Sequence, residues 1–92
     1  MVEIEWTDEA IKDFQRIFLY LSQDDMDFAI LFKESLFDKV NMLSHFPQIG
    51  RSSFYSKDPN DREIFLFAYR IIYNFKNDRI VILSIIHTSR AI

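Results

Sequence analysis

A chain of 92 residues with a net charge of −3 is long enough for one domain and too short for two. The absence of cysteine excludes disulfides and thiolate metal sites, and the single glycine excludes phosphate-binding loops, which need several. There is no signal-like N-terminus and no apolar run of about 18 residues. We therefore expect residues 1–92 to form one cytoplasmic domain with no metal, no cofactor and no membrane partner.

The charge is divided unevenly along the chain. Residues 1–46 carry ten acidic and four basic side chains, whereas residues 47–92 carry seven basic and four acidic ones. An anionic partner would therefore be attracted only to the C-terminal half. The total charge is nevertheless acidic, which argues against broad binding to a nucleic-acid backbone.

The first 21 residues predict a strand followed by a helix. Val2, Ile4 and Trp6 alternate with glutamates, which is the pattern of a half-buried strand. Thr7 is a candidate N-cap, and the apolar residues after it recur every three or four positions to about Leu21.

A second helix is predicted over residues 26–45. Asp24 or Asp25 can cap its start, and Pro47 ends it because the residue before a proline avoids the α region. The connection between the two helices is short, so they should form an antiparallel hairpin. We expect the acidic side chains of both helices to face solvent.

The C-terminal half predicts a sheet. Residues 63–67, 69–75 and 79–88 are rich in β-branched and aromatic side chains, and Asn77-Asp78 is a tight-turn pair between the last two segments. Gly50 is expected to supply a positive φ in the turn before them. The element order β-α-α-β-β-β predicts an α+β domain in which a helical hairpin packs on a mostly antiparallel sheet.

A two-residue turn at Asn77-Asp78 also predicts the pairing of the last hairpin. Counting back from the turn places Tyr69 opposite Ile86 and His87 diagonal to Arg70. One face of the hairpin packs on the helices, and the other carries an apolar group that the helices leave uncovered, namely Ile72, Val81, Leu83 and Ile85. A partner chain or a second copy would cover that group, with Arg79 and Arg90 beside it; the alternative is that the chain's own N-terminal strand or a loop covers it.

Arg70 is a candidate functional residue because it lies in the middle of an apolar strand. A guanidinium in that position needs a carboxylate partner or an anionic ligand. A structural ion pair with Glu63 is one reading. The other is a shared role with His87 in proton transfer or phosphate binding.

The chain resembles the RelE/ParE superfamily of toxins from bacterial type II toxin–antitoxin systems. The resemblance extends over nearly the whole chain and is carried by motifs in a fixed order: Trp6-Thr7-x-x-Ala10, Pro47-x-x-Gly50-Arg51, Arg62-x-Ile64, Tyr69-Arg70-Ile71-x-Tyr73 and His87-x-x-Arg90. It implies a compact toxin that is neutralised by a small antitoxin wrapping across it. We expect either a dimer of the toxin or a hetero-oligomer with the antitoxin.

The resemblance implies two modes of action. ParE-like members poison DNA gyrase by binding, and RelE-like members cleave mRNA on the ribosome without a metal. The latter would use Arg62, Arg70 and His87 here, but acidic Asp61 and Glu63 occupy the region of the RelE-like paired lysines. We therefore expect a ParE-like toxin that acts by binding; the alternatives are a RelE-like ribonuclease and a degenerate member that binds only its antitoxin.

Overall fold

The computed structural model describes residues 1–53 and 56–89, which form two helices on one side of a five-stranded sheet. The elements in chain order are β1 (Glu3–Trp6), α1 (Asp8–Asp24), α2 (Met26–Leu43), β2 (Arg51–Ser52), β3 (Asp61–Leu66), β4 (Tyr69–Lys76) and β5 (Arg79–His87). The strand order is β1-β5-β4-β3-β2, with β1 parallel to β5 and the other neighbours antiparallel. The predicted α+β architecture is confirmed.

Both helices begin at the residues that the sequence predicts. The Thr7 hydroxyl accepts a hydrogen bond of 3.0 Å from the Ala10 N–H at the start of α1. Asp25 ends α1 and starts α2, because its N–H donates to the Leu21 carbonyl and its carboxylate accepts from the Phe28 N–H at 3.1 Å. These caps satisfy donors and acceptors that a helix end otherwise leaves without partners.

The core lies between the helical hairpin and one face of the sheet. The helices contribute Ala10, Ile17, Phe32, Leu36, Val40 and Leu43; the sheet contributes Ile64, Leu66, Tyr69, Ile71, Tyr73, Ile80, Ile82 and Ile85. The helix stripes of three- and four-residue spacing are therefore the buried ones. Within the described residues, neither helix is long and apolar enough to cross a bilayer.

The β4–β5 hairpin contains a bulge that the sequence does not predict. Its turn is as expected: Asn77 and Asp78 have φ angles of 53° and 60°, and Lys76 faces Arg79. The pairing proceeds from there in register as far as Tyr73 opposite Ile82. The next pair is Ile72 with Ser84, so that Leu83 has no residue opposite it.

The bulge reverses the predicted facing of the end of β5. Because successive side chains alternate between faces, one extra residue moves every later side chain to the other side. Ile85 is therefore in the core, only 2% exposed, and its predicted place on the uncovered face is wrong. Tyr69 faces His87 instead of Ile86, so the predicted neighbourhood of His87 and Arg70 on one face is wrong as well.

Helix α1 stabilises the bulge with two side chains. The Thr7 hydroxyl donates to the Leu83 carbonyl at 3.1 Å, and Asp13 Oδ2 accepts from the buried Ile85 N–H at 3.0 Å. Asp13 Oδ1 also accepts from Arg16 Nη2 at 2.7 Å. The expectation that all helical acids face solvent is wrong for Asp13, because the bulge leaves a backbone donor that its carboxylate satisfies.

We predict that Asp13→Ala lowers the free energy of unfolding by about 1–3 kcal/mol, because it leaves the buried Ile85 N–H without an acceptor. Chemical denaturation measures this effect. Glu34→Ala, at an exposed acid within α2, is the matched control and should stay within about 0.5 kcal/mol of the wild type. Equal losses in the two variants would contradict the role given to Asp13.

Candidate functional site

The sheet face away from the helices, called here the outer face, has a buried ion-pair cluster. Glu63 Oε2 lies 3.0 Å from Arg70 Nε, and Glu63 Oε1 accepts from Arg51 Nε at 3.2 Å. Glu63 is 1% exposed and Arg70 is 6% exposed, whereas the Arg51 side chain is largely open to solvent. The predicted Arg70–Glu63 ion pair is confirmed, and Arg51 is a third member that the prediction lacked.

The ring of Phe65 completes this cluster. The guanidinium carbon of Arg51 lies 4.9 Å from the ring centroid, and that of Arg70 lies 5.8 Å from it. Both separations are within the range of a cation–π contact. Arg70 is held at its Nε by Glu63 and is only 6% exposed, so its guanidinium is poorly accessible to a substrate.

The apolar part of the outer face lies beside the cluster. Ile72 is buried, and Val81 and Leu83 are half-buried, on the side of the sheet that the helices do not cover. Arg79 pairs with Glu5 across the β1–β5 ladder. Arg90 lies outside the described residues. That a partner binds this face stays a prediction.

Arg62 lies on the other face of β3 and holds the loop that precedes β2. Its Nη1 donates to the carbonyls of Gln48 and Gly50 at 3.1 and 2.7 Å. The Tyr73 hydroxyl donates to the Pro47 carbonyl and accepts from the Gly50 N–H, each at 2.9 Å. The Pro-x-x-Gly loop is therefore attached to the sheet at several points.

Gly50 is required for space, and the predicted positive φ is wrong. The backbone there is not left-handed. A Cβ at this position would lie 2.6 Å from the Tyr73 hydroxyl, 2.8 Å from its Cε1 and 2.9 Å from the Glu63 carbonyl oxygen. Only glycine permits so close an approach of the loop to the ring.

The same contacts set the acidity of the Tyr73 phenol. Burial raises its pKa above the ordinary value of 10.0, because a charged phenolate loses solvation inside the protein. The hydrogen bond from the Gly50 N–H and the Arg62 guanidinium oppose that rise without cancelling it. Burial likewise raises the pKa of Tyr69, with a smaller contribution from Tyr20.

His87 lies in an open groove of about 530 Å³ between the tip of the helical hairpin and the end of the sheet, called here the tip groove. Its ring packs edge-on against Tyr69, with centroids 5.2 Å apart. Nδ1 accepts from the Ser89 N–H at 3.1 Å, which in the neutral ring leaves the proton on Nε2. Among the residues that line the groove are Arg16, Tyr20, Phe28, Phe67, Tyr69 and His87.

Phe67 forms one side of the tip groove in an unfavourable backbone conformation. Its φ is 51°, in the left-handed region that bulky residues rarely adopt. Glycine is the usual residue at the first position of a two-residue hairpin turn with this φ. Any other residue there destabilises the folded state by about 1–3 kcal/mol. The ring is 51% exposed and contacts Phe28 edge-on at 5.2 Å.

The three candidate catalytic side chains lie apart. Arg70 is on the outer face, Arg62 is at the loop on the helix side, and His87 is in the tip groove. Acid–base catalysis needs groups within hydrogen-bonding distance of one substrate, and these three are not arranged around one position. Within residues 1–53 and 56–89, no cluster of three or more histidines and carboxylates could hold a metal ion.

Sequence reasoning missed three residues of these surfaces. Asp13 follows Ala10 by three and precedes Ile17 by four, so helical spacing alone indicates that it lies on the buried stripe. Phe67 follows a strand and precedes Ala68 in a two-residue connection, but nothing in its residue type indicates a turn. Nothing in the sequence indicates that Arg51 shares Glu63 with Arg70.

Comparison with known proteins identifies relatives of this fold. A family model described as the ParE toxin of the type II toxin-antitoxin system, parDE, matches residues 4–92. No curated protein matched the chain by sequence.

Solved structures with a similar fold include three from toxin–antitoxin systems. The chromosomal ParDE system of P. aeruginosa matches with a TM-score of 0.69 at 22% identity, covering 97% of this chain and 98% of that one. Isolated E. coli RelE matches with a TM-score of 0.68 at 16% identity, covering 99% and 88%. The intact E. coli RelBE toxin-antitoxin complex matches with a TM-score of 0.67 at 16% identity, covering 98% and 100%.

We predict that the protein loses stability as the pH rises above about 10. Because burial raises the pKa of Tyr73 and Tyr69 above 10.0, the folded state retains protons that the unfolded state has lost, and deprotonation therefore favours unfolding. Denaturation at a series of alkaline pH values measures the loss. Tyr73→Phe should be less stable at neutral pH, where it lacks the hydrogen bonds to Pro47 and Gly50, but should lose less stability above pH 10. Parallel curves for the two proteins would contradict the assignment.

Proposed function

We propose that this chain, which belongs to the ParE toxin family of type II toxin–antitoxin systems, arrests growth by binding a protein target such as DNA gyrase and is neutralised by a cognate antitoxin. The observation that carries the choice of binding over catalysis is the separation of Arg62, Arg70 and His87 on different surfaces. Each already has a local role that needs no substrate.

The Arg70–Glu63–Arg51 cluster supports the same choice. A site that cleaves RNA needs positive charge aimed at the phosphate that is attacked. Here a carboxylate that is almost fully buried holds both guanidiniums on the outer face through their Nε atoms. The chain as a whole is acidic, which further weakens the attraction of RNA.

A RelE-like ribosome-dependent mRNA endoribonuclease is the alternative, because the backbone is as similar to RelE, at a TM-score of 0.68, as to the ParDE toxin, at 0.69. Arg70, which is buried beside Glu63, would then have to become accessible to a phosphate of the ribosome-bound mRNA. A degenerate member that only binds its antitoxin is the third reading.

The outer face is the surface that we assign to the antitoxin. Its apolar group now comprises Ile72, Val81 and Leu83, without Ile85, and the Arg79–Glu5 pair lies at one end of it. The mixture of a small apolar centre with charged pairs around it is typical of a protein–protein interface. Burying Val81 and Leu83 beneath an antitoxin segment would remove apolar surface of that face from water.

We predict that expression of the chain alone arrests growth with a DNA damage response, that the purified protein inhibits supercoiling by gyrase, and that transcripts stay intact. Co-expression of the protein encoded beside it should restore growth. Growth assays, a supercoiling assay and transcript mapping make these measurements. Cleaved transcripts with unaffected gyrase would overturn the proposal in favour of the ribonuclease, and normal growth would favour the degenerate member.

Arg62→Gln separates the first two outcomes further. Arg62 holds backbone carbonyls, so under the binding proposal this variant keeps its inhibition of gyrase despite somewhat lower stability. Under the ribonuclease reading it would lose activity while remaining folded.

We also predict that Val81→Asp weakens binding of the antitoxin about tenfold or more, because the interface would have to bury an unpaired carboxylate. Titration calorimetry with the co-purified antitoxin measures the change. Lys76→Gln, at an exposed position five residues earlier in the same hairpin, changes the net charge by the same one unit; it is the matched control and should change binding by less than about threefold. Unchanged binding by a folded Val81→Asp protein would place the antitoxin elsewhere.

A further inference from the structure

The tip groove shows two features that packing of this chain does not require. Tyr20 is 69% exposed at its edge, and Phe67 holds a large ring there in a left-handed backbone conformation. Glycine would adopt that conformation without strain, and the edge-on contact with Phe28 leaves half of the Phe67 ring exposed. Strain that the fold does not need is a reason to look for a function of the side chain.

The groove has the size and lining of a binding site. Its volume of about 530 Å³ falls within the range of small-ligand pockets, roughly 300–1,000 Å³. Leu21 and Ile86 contribute half-buried aliphatic side chains above the buried Ile17 and Ile85, and Phe28 and Phe67 meet edge-on at one side. Arg16 and His87 supply the ionisable groups, apart from the tyrosine hydroxyls.

The charge of the groove differs from that of the chain. The protein carries a net charge of −3, yet no aspartate or glutamate is among the described residues that line the groove. Asp13 accepts from the Ile85 N–H with one carboxylate oxygen and from Arg16 Nη2 with the other. Because a guanidinium has five N–H donors, Arg16 keeps donors with which it can bind a ligand. His87 Nε2 is a further donor in the neutral ring. A carboxylate is therefore the polar group that complements this rim.

We propose that the tip groove is an anchor site for the antitoxin, which inserts an apolar side chain beside Phe67 and places a neighbouring carboxylate at Arg16 and His87. This inference rests on the proposed function, and it adds a second contact to the one assigned on the outer face. Ile86 connects the two surfaces: it pairs with Arg70 at the end of β5 and also lines the groove.

A nucleobase is the competing occupant, because aromatic rings beside an arginine also bind single-stranded RNA. The accessible aliphatic lining favours a peptide, since Leu21 and Ile86 offer no face for stacking. A single arginine and a histidine also provide little charge for a phosphate backbone.

The experiment replaces the strained ring by the residue that the backbone prefers. Phe67→Gly relieves the backbone, which offsets the loss of the edge-on contact with Phe28, so its melting temperature should be no lower than that of the wild type. The affinity for the co-purified antitoxin, measured by titration calorimetry, should nevertheless fall about tenfold or more. If the Phe67→Gly protein is as stable as the wild type but binds the antitoxin less well, a purely structural role of the ring cannot explain the loss of affinity.

Two matched controls accompany this variant. Asn77→Gly makes the same type of change at a left-handed residue of the β4–β5 turn, away from the groove, and should leave affinity unchanged. Arg16→Glu should weaken binding more at low salt than at high salt, whereas Lys12→Glu, one turn earlier on α1 and outside the groove, should not.

The outcomes separate this inference from the proposed function. If the wild type binds its antitoxin and Phe67→Gly binds it equally well, the anchor site is wrong and the proposed function stands. If no co-expressed antitoxin binds the wild type, the proposed function fails and the inference fails with it. Binding of a short single-stranded RNA that depends on Phe67 would overturn the peptide assignment.

Discussion

The hydrogen bond from the Ile85 N–H to Asp13 is the contact on which the arrangement of the functional surfaces depends. It satisfies the backbone on one side of the bulge, and the bond from Thr7 to the Leu83 carbonyl satisfies it on the other. With the bulge stabilised, Ile82 and Ile85 both point to the helices. Without it, strict alternation would turn Ile85 outward and would bring His87 to the side of Arg70.

Local patterns in the sequence predicted most of the fold. Helix spacing, the caps at Thr7 and Asp25, and the turn at Asn77-Asp78 each depend on residues close together in the chain. The bulge depends on the carboxylate of Asp13, which accepts from the Ile85 N–H 72 positions later. The largely apolar segment from Ile80 to Ile86 contains no local signal for a bulge. The predicted alternation of side chains between the two faces therefore fails at Leu83, because a contact with a distant part of the chain stabilises the bulge there.

The sequence predicted contacts in the candidate sites only where the chemistry of one side chain requires a particular type of partner. A guanidinium in an apolar strand requires a carboxylate, which led to Arg70 and Glu63. Glu63 binds two guanidiniums because the pairing of β2 with β3 places Arg51 opposite it. No local signal in the sequence indicates that pairing. Gly50 shows the same limit, because the need for glycine arises from the ring of Tyr73, 23 residues later.

The outer-face cluster bears directly on how such a protein can act. Desolvating Glu63 and Arg70 is costly, and the cost is offset only while the carboxylate keeps its contacts with the guanidiniums of Arg51 and Arg70. A phosphate would have to reach a guanidinium that is only 6% exposed, and beside it the phosphate would meet the negative charge of Glu63, which repels it. The exposed aromatic and aliphatic side chains of the outer face and the tip groove carry no such cost. Binding to another protein through those surfaces therefore costs this fold less free energy than using Arg70 in catalysis.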